Sequence, residues 1–345
     1  MKGRLVALDL LGDRRAAALV VDGRLEDLLV DPDDATPLTG AIFRAVADRP
    51  VKGLGGMFVK LPDGGSGFLR QTAGLAPGRP VIVQVSGPAE PGKALPVTTR
   101  LLFKSRHAIV TPDAPGLNIS RRIKDEPLRT ALEALATAAM AGADDSLGLI
   151  LRSACAEAEA DEITADIAAM RGLAQAVLAD TAGGPELLVE GADAHEVAWR
   201  DWADPLPDEV DDAPGSFARH GIDDQIAALA GPRVALPGGG HMMVEPTRAL
   251  VAVDVNTGPD TSPAASLKVN IAAARDLPRQ LRLRGLGGQV VVDFAPLPKK
   301  DRAILDQVIR AAFKGEGAET TLAGWTALGL YELIRRRDRA VLGAA

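Results

Sequence analysis

The sequence predicts a mixed α+β protein with more than one domain. Short apolar segments between residues 38 and 100, separated by Gly- and Pro-containing turns, indicate a compact β-barrel of the oligonucleotide-binding (OB) type. Residues 126–142 and 160–180 have the composition and periodicity of helices. The β-branched runs at 248–258 and 287–294 indicate buried strands. A length of 345 residues is enough for two or three such domains.

Composition and charge narrow the class of protein. The net charge of −7 argues against indiscriminate nucleic-acid binding, although basic clusters at 98–124, 275–284 and 335–339 leave room for a local basic groove. A single cysteine, Cys155, excludes an internal disulfide framework and a cysteine zinc site within one chain. The sequence shows neither a secretory signal nor an apolar run of about eighteen residues, so we expect a cytoplasmic protein without a membrane span.

The remaining elements follow from local patterns. Asp22-Gly23 is a typical hairpin turn, and Pro278 is expected to kink or break the helix that contains it. Trp199 and Trp202 are interpreted as docking side chains. The other predicted elements are strands at 4–10, 15–21, 24–30, 148–153 and 187–190, a hairpin at 236–245, and helices at 223–229, 264–284, 300–314 and, with basic character, 329–341.

Two apolar runs end in an acid. Asp254 closes one and Asp293 closes the other, so neighbouring strands would bring the two carboxylates to one edge of a sheet. Such a pair needs a cation, and Mg²⁺ is the usual partner of oxygen ligands in phosphate chemistry. Asn256 would project from the same strand face as Asp254 and could orient a water or a phosphate oxygen. Either aspartate alone is more typical of a turn former or a helix cap, and only their pairing favours a metal site.

Aromatic residues in the predicted barrel indicate RNA binding. Phe58 and Phe68 are two of only seven phenylalanines, and stacking of bases on aromatic rings beside cations is how OB barrels hold single strands. The alternative is that both are core residues of the barrel. Lys93 lies in a Gly/Pro-rich loop from which it could reach a backbone phosphate.

The order of the motifs resembles the catalytic region of the bacterial ribonuclease E/G family. The resemblance covers nearly the whole chain, and its last two motifs are specific. The motifs are Gly-Phe-Leu at 67–69, Val-Thr-Thr at 97–99, Ile-Ser-Arg-Arg-Ile at 119–123, Gly-Leu-Ile-Leu-Arg-Ser at 148–153, Ala-Leu-Val-Ala-Val-Asp-Val-Asn-Thr-Gly at 249–258 and the segment 279–294 ending in Gly-Gly-Gln-Val-Val-Val-Asp-Phe.

The resemblance implies a specific division of the chain. It implies an RNase H-like scaffold split between residues 1–35 and a shortened part at 181–230. An OB-type barrel at 36–99 would be inserted into that scaffold. A 5′-sensor region at 100–180 and a deoxyribonuclease-I-like catalytic subdomain at 231–345 would complete it.

The resemblance also implies an activity. The family cleaves single-stranded RNA by hydrolysis, leaving 5′-phosphate and 3′-hydroxyl ends, in the processing or decay of mRNA or rRNA precursors. The residues that match its functional positions are Asp254 and Asp293 as magnesium ligands, Asn256 as the assisting amide, Phe58, Phe68, Lys93, Arg121 and Arg122 as RNA contacts, and Arg152, Ser153, Ser105 and Ile109 as the 5′-phosphate sensor.

Several positions depart from the family pattern. Ser105 replaces a glycine of the sensor, Gly285 an acid and Ala327 an arginine, while Pro278 interrupts a helix that the family keeps continuous. The cysteine pair that forms the family's zinc link is not expected with Cys155 alone, so a homodimer would have to form without it. These departures keep three alternatives open: a catalytically weakened RNA-binding relative, a metal-dependent phosphoesterase acting on small nucleotides, and a structural role in a ribonucleoprotein.

Overall fold

A computed structural model describes residues 2–33, 36–51, 53, 55–72, 74–90 and 92–342. The helices are α1 (Glu126–Ala139), α2 (Ala160–Ala179), α3 (Ala194–Asp201), α4 (Ser216–Arg219), α5 (Ile222–Leu229), α6 (Pro263–Leu283) and α7 (Arg302–Phe313). The strands are β1 (Arg4–Leu11), β2 (Arg14–Val21), β3 (Arg24–Val30), β4 (Ile42–Val51), β5 (Gly56–Lys60), β6 (Ser66–Leu69), β7 (Pro80–Val85), β8 (Leu95–Thr98), β9 (Phe103–Lys104), β10 (Ala108–Thr111), β11 (Gly116–Ile119), β12 (Gly148–Leu151), β13 (Glu186–Val189), β14 (Glu209–Asp211), β15 (Arg233–Ala235), β16 (His241–Pro246), β17 (Val251–Asn256), β18 (Gly288–Asp293), β19 (Thr320–Trp325) and β20 (Tyr331–Arg335).

The chain divides into two units. The first contains Met1–Ala17 and Asp31–Asp212, and the second contains Ala18–Val30 and Ala213–Ala345. The hairpin predicted at Asp22-Gly23 joins β2 to β3, with both residues at positive φ (50° and 80°) as the turn requires. In the first unit, β1 runs parallel to β14 with Val6 opposite Val210.

The predicted barrel is present in the first unit. β4 pairs with both β5 and β7, and the pairings β5–β6, β6–β8 and β8–β7 close a five-stranded barrel. Side chains alternate along the strands, so every second residue enters the core; Phe43, Val59, Leu69 and Val83 are among those buried. This closed barrel is OB-like and confirms the mixed α+β class.

A second sheet of the first unit carries the helices α1 and α2. Its strand order is β11-β12-β10-β9, with β12 antiparallel to β10 and parallel to β11. Val110 and Leu149 from the sheet share a core with Leu132 of α1 and Ile167 of α2. Asp125 caps α1 by accepting a hydrogen bond from the backbone of Leu128, which fixes where that helix begins.

The second unit is built on a six-stranded sheet of order β15-β16-β17-β18-β20-β19. Val253 and Val292 lie in one core with Ala274 of α6 and Leu305 of α7. The intervening residues of the strands are exposed or half-buried, so the sheet has one covered face and one open face. That open face carries the candidate active site.

Two predictions for the second unit are wrong. The basic segment 329–341 was expected to be a helix, but β20 lies there, since Tyr331, Leu333 and Arg335 are buried while the residues between them are exposed, a period of two. Pro278 was expected to kink or break its helix, but α6 runs unbroken through it, so the expected break is wrong. Pro278 is buried together with nine other residues of α6, and that packing outweighs the one backbone hydrogen bond that a proline removes.

Candidate functional site

Asp254 and Asp293 are register partners on adjacent parallel strands. β17 and β18 pair from Val251 opposite Val290 to Asp254 opposite Asp293. Neighbouring strands lie about 4.8 Å apart, so the two carboxylates leave the sheet side by side. Both aspartates are exposed, because the valines that alternate with them take the buried face.

Asn256 lies on the same strand face as Asp254, and its side chain contacts the Asp254 carboxylate. Its Nδ2 donates a hydrogen bond of 2.7 Å to Asp254 Oδ2. This bond restricts the rotation of the carboxylate and leaves Oδ1 available to a ligand. The strand period of two places the amide there, and Asn256 is half-buried at the end of β17.

Different contacts hold the two loops that follow Asp254 and Asp293. Beyond Asp293, the backbone N–H and C=O of Ala295 are both bonded by the side chain of Asn270, at 3.0 and 2.9 Å. Asn270 belongs to α6 and is fully buried. Beyond Asp254, the backbone of Gly258 packs so closely on that of Gly238 and Gly239 that a side chain there would collide with it.

The donor set at this edge suits a hard cation. Within the described part of the chain, neither aspartate takes part in an ion pair, and no group of three His, Cys, Asp or Glu side chains is placed to hold a metal. Two adjacent uncompensated carboxylates repel each other unless a cation lies between them. An ion held by only two protein carboxylates takes its other ligands from water or phosphate, as Mg²⁺ prefers.

Phe58 and Phe68 lie outside the barrel core. They are register partners on β5 and β6, half-buried, with ring centroids 5.6 Å apart in an edge-to-face arrangement. The guanidinium of Arg49 lies 5.4 Å from the Phe58 ring centroid. Gly56 is required beside them, since a Cβ there would collide with the Phe68 ring. The two rings are therefore partly exposed beside a cation and are not part of the barrel core.

The predicted basic contacts are dispersed in the first unit. Lys93 is exposed and pairs with Glu90 at 2.7 Å. Arg122 is exposed and pairs with Asp204 at 3.0 Å. Arg121 is exposed, and among the described residues no ion pair engages it. Exposed pairs of this kind contribute little stability, so a phosphate group can displace the acids.

The four residues predicted to bind a 5′-phosphate lie together. Arg152 follows β12 and donates from NH1 to the carbonyl of Ser105 at 2.7 Å. Ile109 on β10 lies opposite Ile150 of β12, two residues before Arg152. Ser153 begins a single 3₁₀ turn that ends at Ala156. The four residues are therefore neighbours, but Arg152 already holds internal partners.

Sequence reasoning missed the helix α3, on which Trp199 lies. Asp193 caps α3 and Glu196 completes a capping box, a pattern of Asp-x-x-Glu that marks a helix start. Trp202 is buried, as its predicted docking role requires. Trp199 is 60% exposed instead, and the guanidinium of Arg106 lies 3.9 Å from its ring centroid. The docking interpretation is therefore wrong for Trp199.

The departures from the family pattern have distinct structural settings. Gly285 has a φ of 64°, and a Cβ there would collide with the carbonyl of Ala340, so this backbone does not accommodate an acid at 285. Ala327 is exposed between β19 and β20. Cys155 is buried, and desolvation raises the pKa of its thiol to about 11, so it is a core residue.

An OB-like barrel with surface aromatic rings and a sheet face with paired carboxylates are together typical of proteins that bind and process nucleic acids. The model of the Ribonuclease E/G family matches residues 103–212 and 207–338. These matches cover more than half of the sequence, and the chain belongs to the ribonuclease E/G family.

Individual relatives agree with this assignment. The chain is 29% identical to ribonuclease E of Synechocystis sp. over 89% of its own length and 51% of that protein. It is 28% identical to ribonuclease E of Nostoc sp. over 93% of its length and 54% of that protein. It is 24% identical to ribonuclease G of Escherichia coli (strain K12), over 93% of its length and 77% of that protein. The chain thus spans about half the length of the two cyanobacterial relatives.

None of the helices in the described part of the chain combines the length and the apolar character that crossing a membrane requires.

Proposed function

We propose that this protein is a magnesium-dependent endoribonuclease that hydrolyses single-stranded RNA to 5′-phosphate and 3′-hydroxyl ends. The observation that carries the proposal is the register of β17 and β18, which sets Asp254 beside Asp293 on an open sheet face. Family membership and the names of the relatives support RNA as the substrate. In this proposal residues 231–345 are the deoxyribonuclease-I-like subdomain, and the RNase H-like scaffold is split between residues 1–35 and 181–230 around the barrel.

Each residue has a role that follows from its position. Asp254 and Asp293 would hold Mg²⁺, which when bound neutralises charge on a scissile phosphate and lowers the pKa of a water. Asn256 orients the Asp254 carboxylate through its 2.7 Å hydrogen bond. Phe58 and Phe68 stack bases, and the exposed cations Lys93, Arg121 and Arg122 bind the RNA backbone. No protein nucleophile is needed, since water is the attacking group.

Cleavage of a short single-stranded RNA tests the proposal. We expect products with Mg²⁺ and none after chelation, and the Asp254→Asn and Asp293→Asn variants should lose at least about a hundredfold in rate, because the charge stabilisation of a metal is worth several kcal/mol. RNA affinity should largely survive. The control is Glu332→Gln, which removes an exposed acid of β20 on the same open face of the sheet.

The outcomes separate the candidate functions. Full activity in either aspartate variant would reject the proposed metal site. RNA binding without cleavage in the unsubstituted protein would instead identify a catalytically weakened RNA-binding relative. Cleavage of small nucleotides but not of RNA, unaffected by Phe58→Ala, would identify the phosphoesterase alternative.

A further inference from the structure

The guanidinium of Arg152 donates three hydrogen bonds to the protein itself. Its NH2 donates to Asp201 Oδ1 at 2.6 Å, and its NH1 donates to the carbonyls of Ser105 and Arg200 at 2.7 and 3.1 Å. Asp201 is the last residue of α3, so the end of that helix lies against the end of β12. The side chain of Arg152 is only 21% exposed.

Asp201 binds a second guanidinium at the same time. Arg200 Nε donates to its Oδ1 at 3.1 Å, and Arg200 NH2 donates to its Oδ2 at 2.9 Å. Burial acts to raise the pKa of Asp201, but the hydrogen bonds and charges of Arg200 and Arg152 outweigh it and hold that pKa below its usual value. Asp201 is therefore an anion at neutral pH, held between two cations.

Ser105 and Ile109, two of the residues near Arg152, are also bonded within the protein. The hydroxyl of Ser105 donates to the carbonyl of Ala108 at 3.3 Å and accepts from the N–H of Ala108 at 3.1 Å. Ile109 is paired on both sides, with Ile150 and with Lys104. A ligand entering here would have to replace bonds that already exist.

A carboxylate and a terminal phosphate compete for the same planar donors of an arginine. We infer that Asp201 occupies the position at which the 5′-phosphate of an RNA would bind Arg152, so that this protein cleaves RNA without preferring a 5′-monophosphate over a 5′-hydroxyl end. Asp201 is thereby a specificity-determining residue. This inference rests on the proposed ribonuclease function.

Two RNAs of one sequence, bearing either a 5′-monophosphate or a 5′-hydroxyl, test the inference. Cleavage rates are measured with Mg²⁺, and dissociation constants are measured without it. We expect both ratios to be close to one for the unsubstituted protein. Asp201→Asn replaces the competing anion by a neutral amide, so that Arg152 and Arg200 lose the charge that neutralises them. This variant should gain a preference of about tenfold or more for the phosphorylated RNA, as charge-assisted hydrogen bonds provide.

Two controls show whether the gained preference comes from Arg152 and Asp201. Asp145→Asn removes one exposed carboxylate elsewhere in the first unit and should leave the ratios at one. Adding Arg152→Gln to Asp201→Asn should abolish the gain. A tenfold preference in the unsubstituted protein, or a folded Asp201→Asn variant that remains indifferent, overturns the inference. If neither RNA is cleaved, the proposed function fails, and the two dissociation constants still decide whether Asp201 blocks the phosphate.

Discussion

Phe58 lies on a strand of the barrel, but its side chain is not part of the barrel core. Its neighbours on β5, Met57 and Val59, are buried in the first unit, whereas Phe58 turns outward with Phe68 and Arg49 around it. The strand period of two makes this arrangement obligatory once the barrel closes. A half-buried aromatic ring beside a cation at the barrel surface is suited to stacking with a base.

Truncation of Phe58 should weaken RNA binding without unfolding the barrel. We expect Phe58→Ala to cost about 1–3 kcal/mol in affinity for a single-stranded oligoribonucleotide, the range for loss of one stacked base. Fluorescence anisotropy at fixed salt measures the dissociation constant. Leu10→Ala, which removes an exposed apolar side chain of β1 outside the barrel, is the control. Equal affinities of Phe58→Ala and the parent protein would show that the ring only covers the barrel.

The residues of the candidate site differ in how much of their setting the sequence reveals. Asp254 and Asp293 can be predicted to be neighbours because each ends a β-branched run. If the two runs form adjacent strands, the two aspartates lie at one edge of the sheet. The partner of Arg152 was not predicted, since Asp201 is 49 residues away and belongs to a helix that the sequence analysis missed. A short-range pattern cannot specify a contact that depends on packing between distant segments.

At the scale of elements, α6 positions the active-site edge as well as filling the core. Asn270 reaches from the helix to the loop after Asp293 and satisfies both backbone groups of Ala295, 25 residues away. No apolar residue can replace those bonds, and buried backbone groups without partners are costly. The helix therefore anchors the loop that follows β18 and Asp293.

Asn270→Ala should destabilise the second unit and slow cleavage together. Two buried backbone groups lose their partners, which costs about 2–4 kcal/mol in the free energy of unfolding. Urea denaturation followed by circular dichroism measures this cost. Lys268→Ala, at an exposed position of the same helix, should change stability by less than about 0.5 kcal/mol. A stable Asn270→Ala variant with normal cleavage would contradict the positioning role.

The elements that were predicted correctly are those with unambiguous periods. The strands of the β17–β18 pair and the helices α1 and α2 follow directly from hydrophobic pattern and caps. β20 was misassigned because its arginines suggested a solvated basic helix. In the structure Arg335 is only 1% exposed and pairs with Glu316 at 3.1 Å, so a buried ion pair gives a charged residue an inward position. Tertiary pairing of this kind overrides the expectation that arginine lies outside.

At the scale of the whole molecule, buried acid–arginine pairs link stability to pH in both units. In the second unit Asp27 binds Arg339, and Asp276 binds Arg24 and Arg279. Burial acts to raise the pKa of each aspartate, but these arginines outweigh it and hold both pKa values below the usual 3.8. Asp201 in the first unit behaves in the same way.

The direction of the pH dependence follows from these lowered values. An aspartate whose pKa is lower in the folded state stabilises the protein fully above its unfolded pKa, and this contribution is lost as the pH falls through 3.8 towards the folded pKa. We therefore expect a constant free energy of unfolding from these groups above pH 5 and a decline below pH 4. Each extra proton taken up on unfolding adds a slope of about 1.4 kcal/mol per pH unit.

Substitution of Asp276 separates this effect from the general charging of the protein in acid. Asp276→Asn removes one of the titrating groups, so the variant should be less stable at pH 7 and should lose less stability than the parent between pH 5 and pH 3. Urea titrations at several pH values measure both quantities. Glu332→Gln, an exposed acid of the same unit, should leave the slope close to that of the parent. An aspartate whose pKa is lowered in the folded state must bind a proton on unfolding between pH 5 and pH 3. A parent protein that is equally stable at both pH values would therefore show that these buried pairs do not govern its acid stability.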